Sequence, residues 1–203
     1  MGDTYVAKAV VIATGSTQRH LGVPGEEEFG GKGVSYCAVC DGAFFKGLHL
    51  VVVGGGDSAV EEGMYLTQLA SKVTVLVRGD HLRAQPLLQD EAAKNDKMEF
   101  VYDTSVTEIV GDDIKVSGVK THNNVTGEDS EMVADGVFIY VGSVPMTAAF
   151  KDLGILDDQG WVKTDTQMRT SVPGIFAIGD VRETPLRQIA TAVGDGAIAG
   201  QQV

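Results

Sequence analysis

The sequence predicts an α/β protein built on a parallel sheet, and three observations carry that expectation. Short, almost wholly apolar runs recur at residues 9–12, 48–53, 73–77, 136–141 and 174–178. Strands covered on both faces read in this way, as near-continuous apolar segments rather than alternating ones. Several of these runs end in glycine, most clearly at Gly54-Gly55-Gly56. A helical pattern then follows, with Asp57 at its start and Val60, Met64, Leu66 and Leu69 recurring at near-helical spacing.

Taken in order, residues 9–12 form a strand that ends at the turn Ala13-Thr14-Gly15. Residues 22–33, rich in Gly, Glu and Pro, read as a connecting loop, and Cys37 to Asp41 follow it. The run 48–53 is the strand that leads into the three glycines, and 73–77 is β-branched and apolar, a second strand. Pro86 opens a helix expected over 86–97, at the one helical position where its missing N–H costs nothing. Residues 98–101 make a third strand. Residues 104–110, 114–121 and 131–133 read as an antiparallel meander, with Asn123-Asn124-Val125-Thr126-Gly127 as a turn. The buried strand 136–141 is closed by Gly142-Ser143-Val144-Pro145. A short strand at 174–178 ends in Gly179-Asp180, and 188–203, rich in Ala and Gly, reads as a helix able to pack against a flat ligand.

Composition narrows the function. The 203 residues include 43% hydrophobic ones, enough for a core, and the net charge of −12 argues against nucleic acid or an anionic membrane as partner. No apolar run is long enough to cross a bilayer. The N-terminus lacks a basic segment followed by an apolar stretch, so a cytoplasmic location is expected.

Gly54, Gly56 and Ala59 fit G-x-G-x-x-G/A in its proper setting, between a strand and a helix. The first glycine permits the tight turn, the second lets backbone approach a pyrophosphate, and the small third residue lets helix and strand pack closely. A Rossmann-like dinucleotide site is therefore expected, with the freed N–H groups of the helix start facing the anion. About twenty residues further on, the tip of the second strand selects the nicotinamide cofactor. Arg78 stands there and Arg83 follows on the same loop, while no carboxylate occupies the tip itself and Asp80 is nearby. Two guanidinium groups suit a 2′-phosphate better than a diol, which favours NADP over NAD.

Cys37 and Cys40 are the two cysteines of the chain and form C-x-x-C. A structural zinc site needs about four ligands, and His20, His49, His81 and His122 are scattered. An inert buried pair would leave the spacing unexplained, whereas two thiols so placed can close a small disulfide ring and depress a thiol pKa. Asp41 then stands as a general acid for a departing thiolate, or as a helix N-cap, or as both.

These residues resemble the low-molecular-weight thioredoxin reductases. Cys37-Ala38-Val39-Cys40-Asp41-Gly42 is similar to that family's redox centre, and Gly54-Gly55-Gly56-Asp57-Ser58-Ala59-Val60-Glu61-Glu62 to its NADPH fingerprint. Gly174 to Asp180 resembles its second FAD signature, and Arg187-Gln188-Ile189-Ala190-Thr191-Ala192 the segment bordering the flavin ring. The resemblance runs from about Val6 to the end of the chain.

It implies Cys37, Cys40 and Asp41 as catalytic residues. It also implies Gly54, Gly55, Gly56, Asp57, Ser58, Ala59, Glu62, Arg78, Arg83 and Gly142 as NADPH-binding. Thr14, Gly15, Gly179, Asp180, Arg187, Gln188 and Ile189 are implied as FAD-binding. The implied activity moves two electrons from NADPH to FAD, then to the Cys37–Cys40 disulfide, then to thioredoxin. Cys40 would face flavin and Cys37 would attack the partner, and residues 15–21 and 142–146 would be hinges of a rotating NADPH domain. The family's members are homodimers.

Two departures stand out. The family's His-Arg-Arg at the strand tip is Val77-Arg78-Gly79 here, so one arginine is missing. The first FAD turn, G-x-G-x-x-G after a strand, has no counterpart before Ala9. The expected organisation is thus a fragment: residues 1–21 and 145–203 as parts of an FAD domain around an NADPH domain at 22–144, with flavin binding weak or absent and no reductase activity from the fragment alone. Two other readings stay open, a stand-alone NADP(H)-binding module without catalysis and a flavoprotein reductase of a peroxiredoxin.

Overall fold

The computed structural model describes residues 3–203. Along the chain run β1 (Val10–Ile12), β2 (Ser16–Gln18), β3 (Val34–Ser35), α1 (Ala38–Asp41), β4 (His49–Val53), α2 (Asp57–Thr67), β5 (Lys72–Leu76), α3 (Pro86–Ala92), β6 (Met98–Val101), β7 (Thr104–Gly111), β8 (Val116–Asn123), β9 (Asp129–Val133), β10 (Gly136–Ile139), β11 (Ser143–Pro145), β12 (Ile175–Ala177) and α4 (Ile189–Gln202). The chain divides into two compact units. One is 18–142; the other comprises the described residues up to Thr17 together with Ser143–Val203.

In unit 18–142 the parallel sheet has the order β3-β10-β4-β5-β6. Its register pairs Leu50 with Val73 and Gly136, and Val53 with Leu76 and Ile139. Alternation along β4 explains why both faces are apolar. Leu50 and Val52 pack with Ala59, Val60 and Leu66 of α2 on one face. Val51 and Val53 pack on the other face with Val106, Ile109, Val116 and Val119 of the antiparallel sheet β7-β8-β9. Side chains of period two buried on two sides require this near-continuous Val/Leu run. Leu66 is fully buried and contributes about 2 kcal/mol by its burial. A Cβ on Gly63 would meet the movable end of the Met98 side chain at 2.8 Å and Val52 and Val75 at an ordinary 3.9 Å, so α2 seats close to the sheet there.

α3 is shorter than the expected 86–97. It stops at Ala92, and Lys94 N donates to Glu91 O in a tighter turn. Asn95 ends it: its Oδ1 accepts from Lys97 N while its Nδ2 donates to Thr67 Oγ1. Competition from a side-chain amide of this kind takes the backbone out of the helical ladder. The middle meander strand starts at Val116 rather than at Ile114. Asp112 Oδ1 accepts from Ile114 N and Lys115 N and makes that stretch a turn.

The other unit holds the parallel pair β1-β12 and a small core of Ile12, Ile155, Val162, Ala177 and Val181. β2 pairs with β11. Gln188 precedes α4, and its N–H donates to Thr191 Oγ1. Among the described residues, no helix is long and apolar enough to cross a membrane.

Candidate functional site

Both chemical motifs of the middle of the chain lie in unit 18–142. The glycine turn leaves β4 at the carboxyl edge of the sheet. There the strand order switches, with β10 on one side of β4 and β5 on the other. Open α/β sheets bind ligands at this point. Gly54 has φ +144, and a Cβ on it would lie 2.3 Å from the carbonyl oxygen of Tyr140, so sterics and dihedral both demand glycine. Gly56 is different. Its φ is −95 and a Cβ there would meet nothing within 4 Å, so the space in front of the helix start is open. Ala59 is fully buried under the turn. No side chain caps α2, so its first N–H groups remain available to an anion. The open space at Gly56 and these uncapped amides fit a dinucleotide pyrophosphate.

A cleft of about 550 Å³ opens beside the turn and is lined by Arg19, His20, Arg78, His81 and Arg83 among others. Three arginines gathered at one place in a chain of net charge −12 give the cleft a local positive field that favours anionic ligands. Arg78 and Arg83 thus line the same cleft. Asp80 turns instead to His81, whose Nδ1 lies 2.5 Å from its Oδ1; that contact holds the Asp80 carboxyl below the usual range. Gly142 has φ +104, and its carbonyl accepts from Arg19 N. Ser58 is exposed in the first turn of α2.

Cys37 and Cys40 are joined as a disulfide. Cys37 is the N-cap of α1, and its Sγ accepts from Cys40 N at 3.2 Å. A backbone N–H aimed at a sulfur favours the thiolate once the pair is reduced. Asp41 is the last residue of α1 and stands at the N-cap of a short 3-10 turn over Gly42–Phe45, without capping it. Its Oδ2 accepts from Ser35 Oγ at 2.6 Å, and the same hydroxyl accepts from Cys37 N at 3.1 Å. The N-cap role for Asp41 is thus replaced by a link through Ser35 to the Cys37 backbone.

Glu62 reaches the helix that carries the Cys37–Cys40 disulfide. Its Oε2 accepts from Ala38 N at 3.1 Å and from Tyr140 Oη at 3.2 Å, while Tyr140 Oη accepts from Ala38 N at 2.8 Å. Burial pushes the Tyr140 phenol well above its usual range, and the Glu62 charge adds to the shift. Glu62 thereby ties the helix that follows the glycine turn to the start of the cysteine helix.

In the other unit, Thr14 Oγ1 donates to Met146 O, and Gly15 has φ +71. Gly179 has φ +68 and donates its N–H to Asp195 Oδ2. Because Ile12 pairs with Ala177 in the parallel ladder, the Thr14-Gly15 and Gly179-Asp180 turns leave from the same end of that pair. The Arg187 guanidinium lies 3.7 Å over the Trp161 ring. Gln188 opens α4, and Ile189 is 85% exposed.

Sequence reasoning missed Tyr140, Ser35, His20 and Glu26. The strand-end rule was enough to find Tyr140, since it follows β10 at the sheet's carboxyl edge beside the glycine turn. Ser35 carries no local pattern. Glu26 lies in an apparently featureless loop, yet it is 3% exposed and accepts from Leu21 N, Gly22 N and Tyr36 Oη.

Comparison with known proteins bears on these motifs. The family model of the pyridine nucleotide-disulphide oxidoreductases matches residues 1–196. A thioredoxin reductase of Listeria monocytogenes is 62% identical over 98% of this chain, which spans 62% of that protein's length. A thioredoxin reductase of Bacillus subtilis is 57% identical, again over 98% of the chain and 63% of its own length. The crystal structure of the Lactococcus lactis thioredoxin reductase is 53% identical with a TM-score of 0.87, covering 98% of this chain and 66% of that one. The thioredoxin reductase structure from T. acidophilum is 44% identical with a TM-score of 0.84, over 98% and 66%.

Proposed function

The chain belongs to the pyridine nucleotide-disulphide oxidoreductase family, and from that premise we propose that it serves thioredoxin-disulfide reduction at the expense of NADPH. The observation that carries the reading is the placing of the Cys37–Cys40 disulfide in the same compact unit as a glycine turn that suits a pyrophosphate. The Ala38–Glu62–Tyr140 contacts join the two. The cationic cleft favours NADP through Arg78 and Arg83.

In the reduced state Cys37, favoured as thiolate by the Cys40 N–H, attacks one sulfur of the thioredoxin disulfide. A mixed disulfide forms and the first thioredoxin thiolate leaves and takes up a proton. Cys40 then attacks the Cys37 sulfur, which restores the Cys37–Cys40 disulfide and releases the second thioredoxin thiolate. Two electrons pass to thioredoxin. Asp41, held through Ser35 near the Cys37 backbone, exchanges protons with the pair. FAD, when bound, supplies the two-electron relay from NADPH back to the disulfide. Thr14, Gly15, Gly179, Asp180, Arg187, Gln188 and Ile189 are the residues that would border it. A homodimer in the cytoplasm belongs to the same reading.

The test needs no flavin. The chain is reduced with a dithiol, freed of it, and mixed with oxidised thioredoxin. One equivalent of thioredoxin dithiol per chain is expected, and Cys37→Ser should yield none while still binding NADP+. Full transfer by Cys37→Ser would refute the assignment, and no transfer by the wild-type chain would refute the partner. Transfer to an oxidised peroxiredoxin in preference to thioredoxin would move the chain to the neighbouring activity.

A further inference from the structure

The loop that bears Arg78 and Arg83 is exposed at both arginines, and a flexible arginine gains little from a phosphate contact unless its backbone is already fixed. Two side chains from separate elements fix it. Asp57, at the first position of α2, does not cap its own helix. Its Oδ1 accepts from Gln85 N at 2.7 Å and its Oδ2 from Gln85 Nε2 at 3.0 Å. The same end of the loop is tied to the glycine turn, because Arg83 N and Ala84 N both donate to Gly55 O, at 2.7 and 3.2 Å.

At the other end Asn124, in the turn between β8 and β9, donates from Nδ2 to Arg78 O at 2.8 Å. Asn124 is itself held, since Ser105 Oγ donates to its Oδ1 and its own N–H donates to Asp103 O. Asp103 N in turn donates to Gly79 O.

We propose that Asp57 and Asn124 are positioning residues for cofactor choice: they hold the two ends of the 78–85 loop so that Arg78 and Arg83 meet a 2′-phosphate together. Asp57 therefore acts through Gln85, although it lies within the fingerprint. The inference rests on the reading of the cleft as an NADP site. It assigns part of the specificity to the hairpin turn of the antiparallel sheet, an element outside the Rossmann-like motif. A loop fixed at both ends also compensates for the arginine that Gly79 replaces, by presenting the remaining two in a set geometry.

The experiment is calorimetric titration of the full chain with NADP+ and with NAD+, for wild type, Asn124→Ala, Asp57→Ala, Asp57→Asn and Arg78→Ala. The ratio of the two affinities is the readout, which removes any general effect of altered charge near the pyrophosphate. Each alanine change should lower the NADP+ to NAD+ preference by about tenfold, the scale of one charge-assisted hydrogen bond. Asp57→Asn keeps an acceptor for Gln85 N and should lose less. Asn124→Ala on top of Arg78→Ala should add little, because both act through one contact. A preference unchanged in Asn124→Ala and Asp57→Ala, or full additivity with Arg78→Ala, overturns the inference. A wild-type chain without preference for NADP+ overturns the underlying cofactor reading, a different result from the first. Thermal melts of each variant separate loss of fold from loss of preference.

Discussion

Replacing Glu26 with glutamine tests how this chain holds the approach to its cleft. The carboxylate is 3% exposed and accepts three hydrogen bonds, from Leu21 N at 3.0 Å, Gly22 N at 2.7 Å and Tyr36 Oη at 2.6 Å. Glutamine offers one acceptor oxygen in place of two. Whichever way its amide turns, an NH2 faces a backbone N–H. One buried donor loses its partner, at about 1–3 kcal/mol, and the remaining bonds lose their charge assistance. A total near 3 kcal/mol is expected, which for a unit of this size lowers the melting temperature by about 10 °C.

The pH dependence adds a second readout. Burial raises the Glu26 pKa, but the Tyr36 hydroxyl, the Leu21 and Gly22 amides and His20 more than offset it, so the folded value lies below the ordinary one. Its contribution is therefore complete above the unfolded glutamate pKa. It is lost as pH falls through the folded value, because the unfolded chain takes up the proton first. The stability gap between wild type and Glu26→Gln should close as pH drops below about 4.5, from the ordinary glutamate range downward. Urea denaturation at several pH values and thermal melts measure both. A variant that melts within 2 °C of wild type, on the scale of about 10 °C set out above, would refute the reasoning. So would a stability gap that stays constant with pH.

Other outcomes follow from the same contacts. Gly54→Ala should destabilise the fold by more than about 3 kcal/mol, from the 2.3 Å approach to Tyr140 O together with φ +144. Gly56→Ala, whose Cβ meets nothing, should leave the melt within about 1 kcal/mol yet weaken NADP+ binding at least about tenfold by filling the space in front of the helix start; melts and calorimetry check the pair. Tyr140→Phe should cost about 1–2 kcal/mol in urea denaturation. Combined with Glu62→Ala it should cost more than the sum of the two, since each alone leaves Ala38 N one acceptor.

Much of the fold was legible because each central strand is covered on both faces and must be apolar throughout. β1, β4, β5, β10 and β12 lie where the apolar runs stand. The fingerprint was legible because its three small residues answer three separate steric demands, and the structure separates them: a strained and crowded Gly54, an open Gly56, a buried Ala59. The end of α3 was not legible. The helical pattern runs on through Asn95, but the Asn95 amide ends the helix through contacts with Thr67 and Lys97, one of them 28 residues away. The Asp41–Ser35 link and the Glu26 clasp were hidden for another reason: their partners are near in sequence, but irregular loop geometry rather than a periodic pattern brings them together. Glu62 was legible as part of a motif but not in its contacts. Tyr140 reaches it across 78 residues, so no local spacing could reveal that it supports the cysteine helix.

The most direct test of the central claim, that one compact unit carries a dinucleotide cleft joined to the redox pair, is hydrogen exchange of the chain with and without NADP+. Slowed exchange is predicted at residues 54–60 and 77–85, with a smaller effect reaching 37–41 through the Ala38–Glu62–Tyr140 contacts, and none in 150–176. Protection confined to 143–203, or no protection at a saturating concentration, would contradict it.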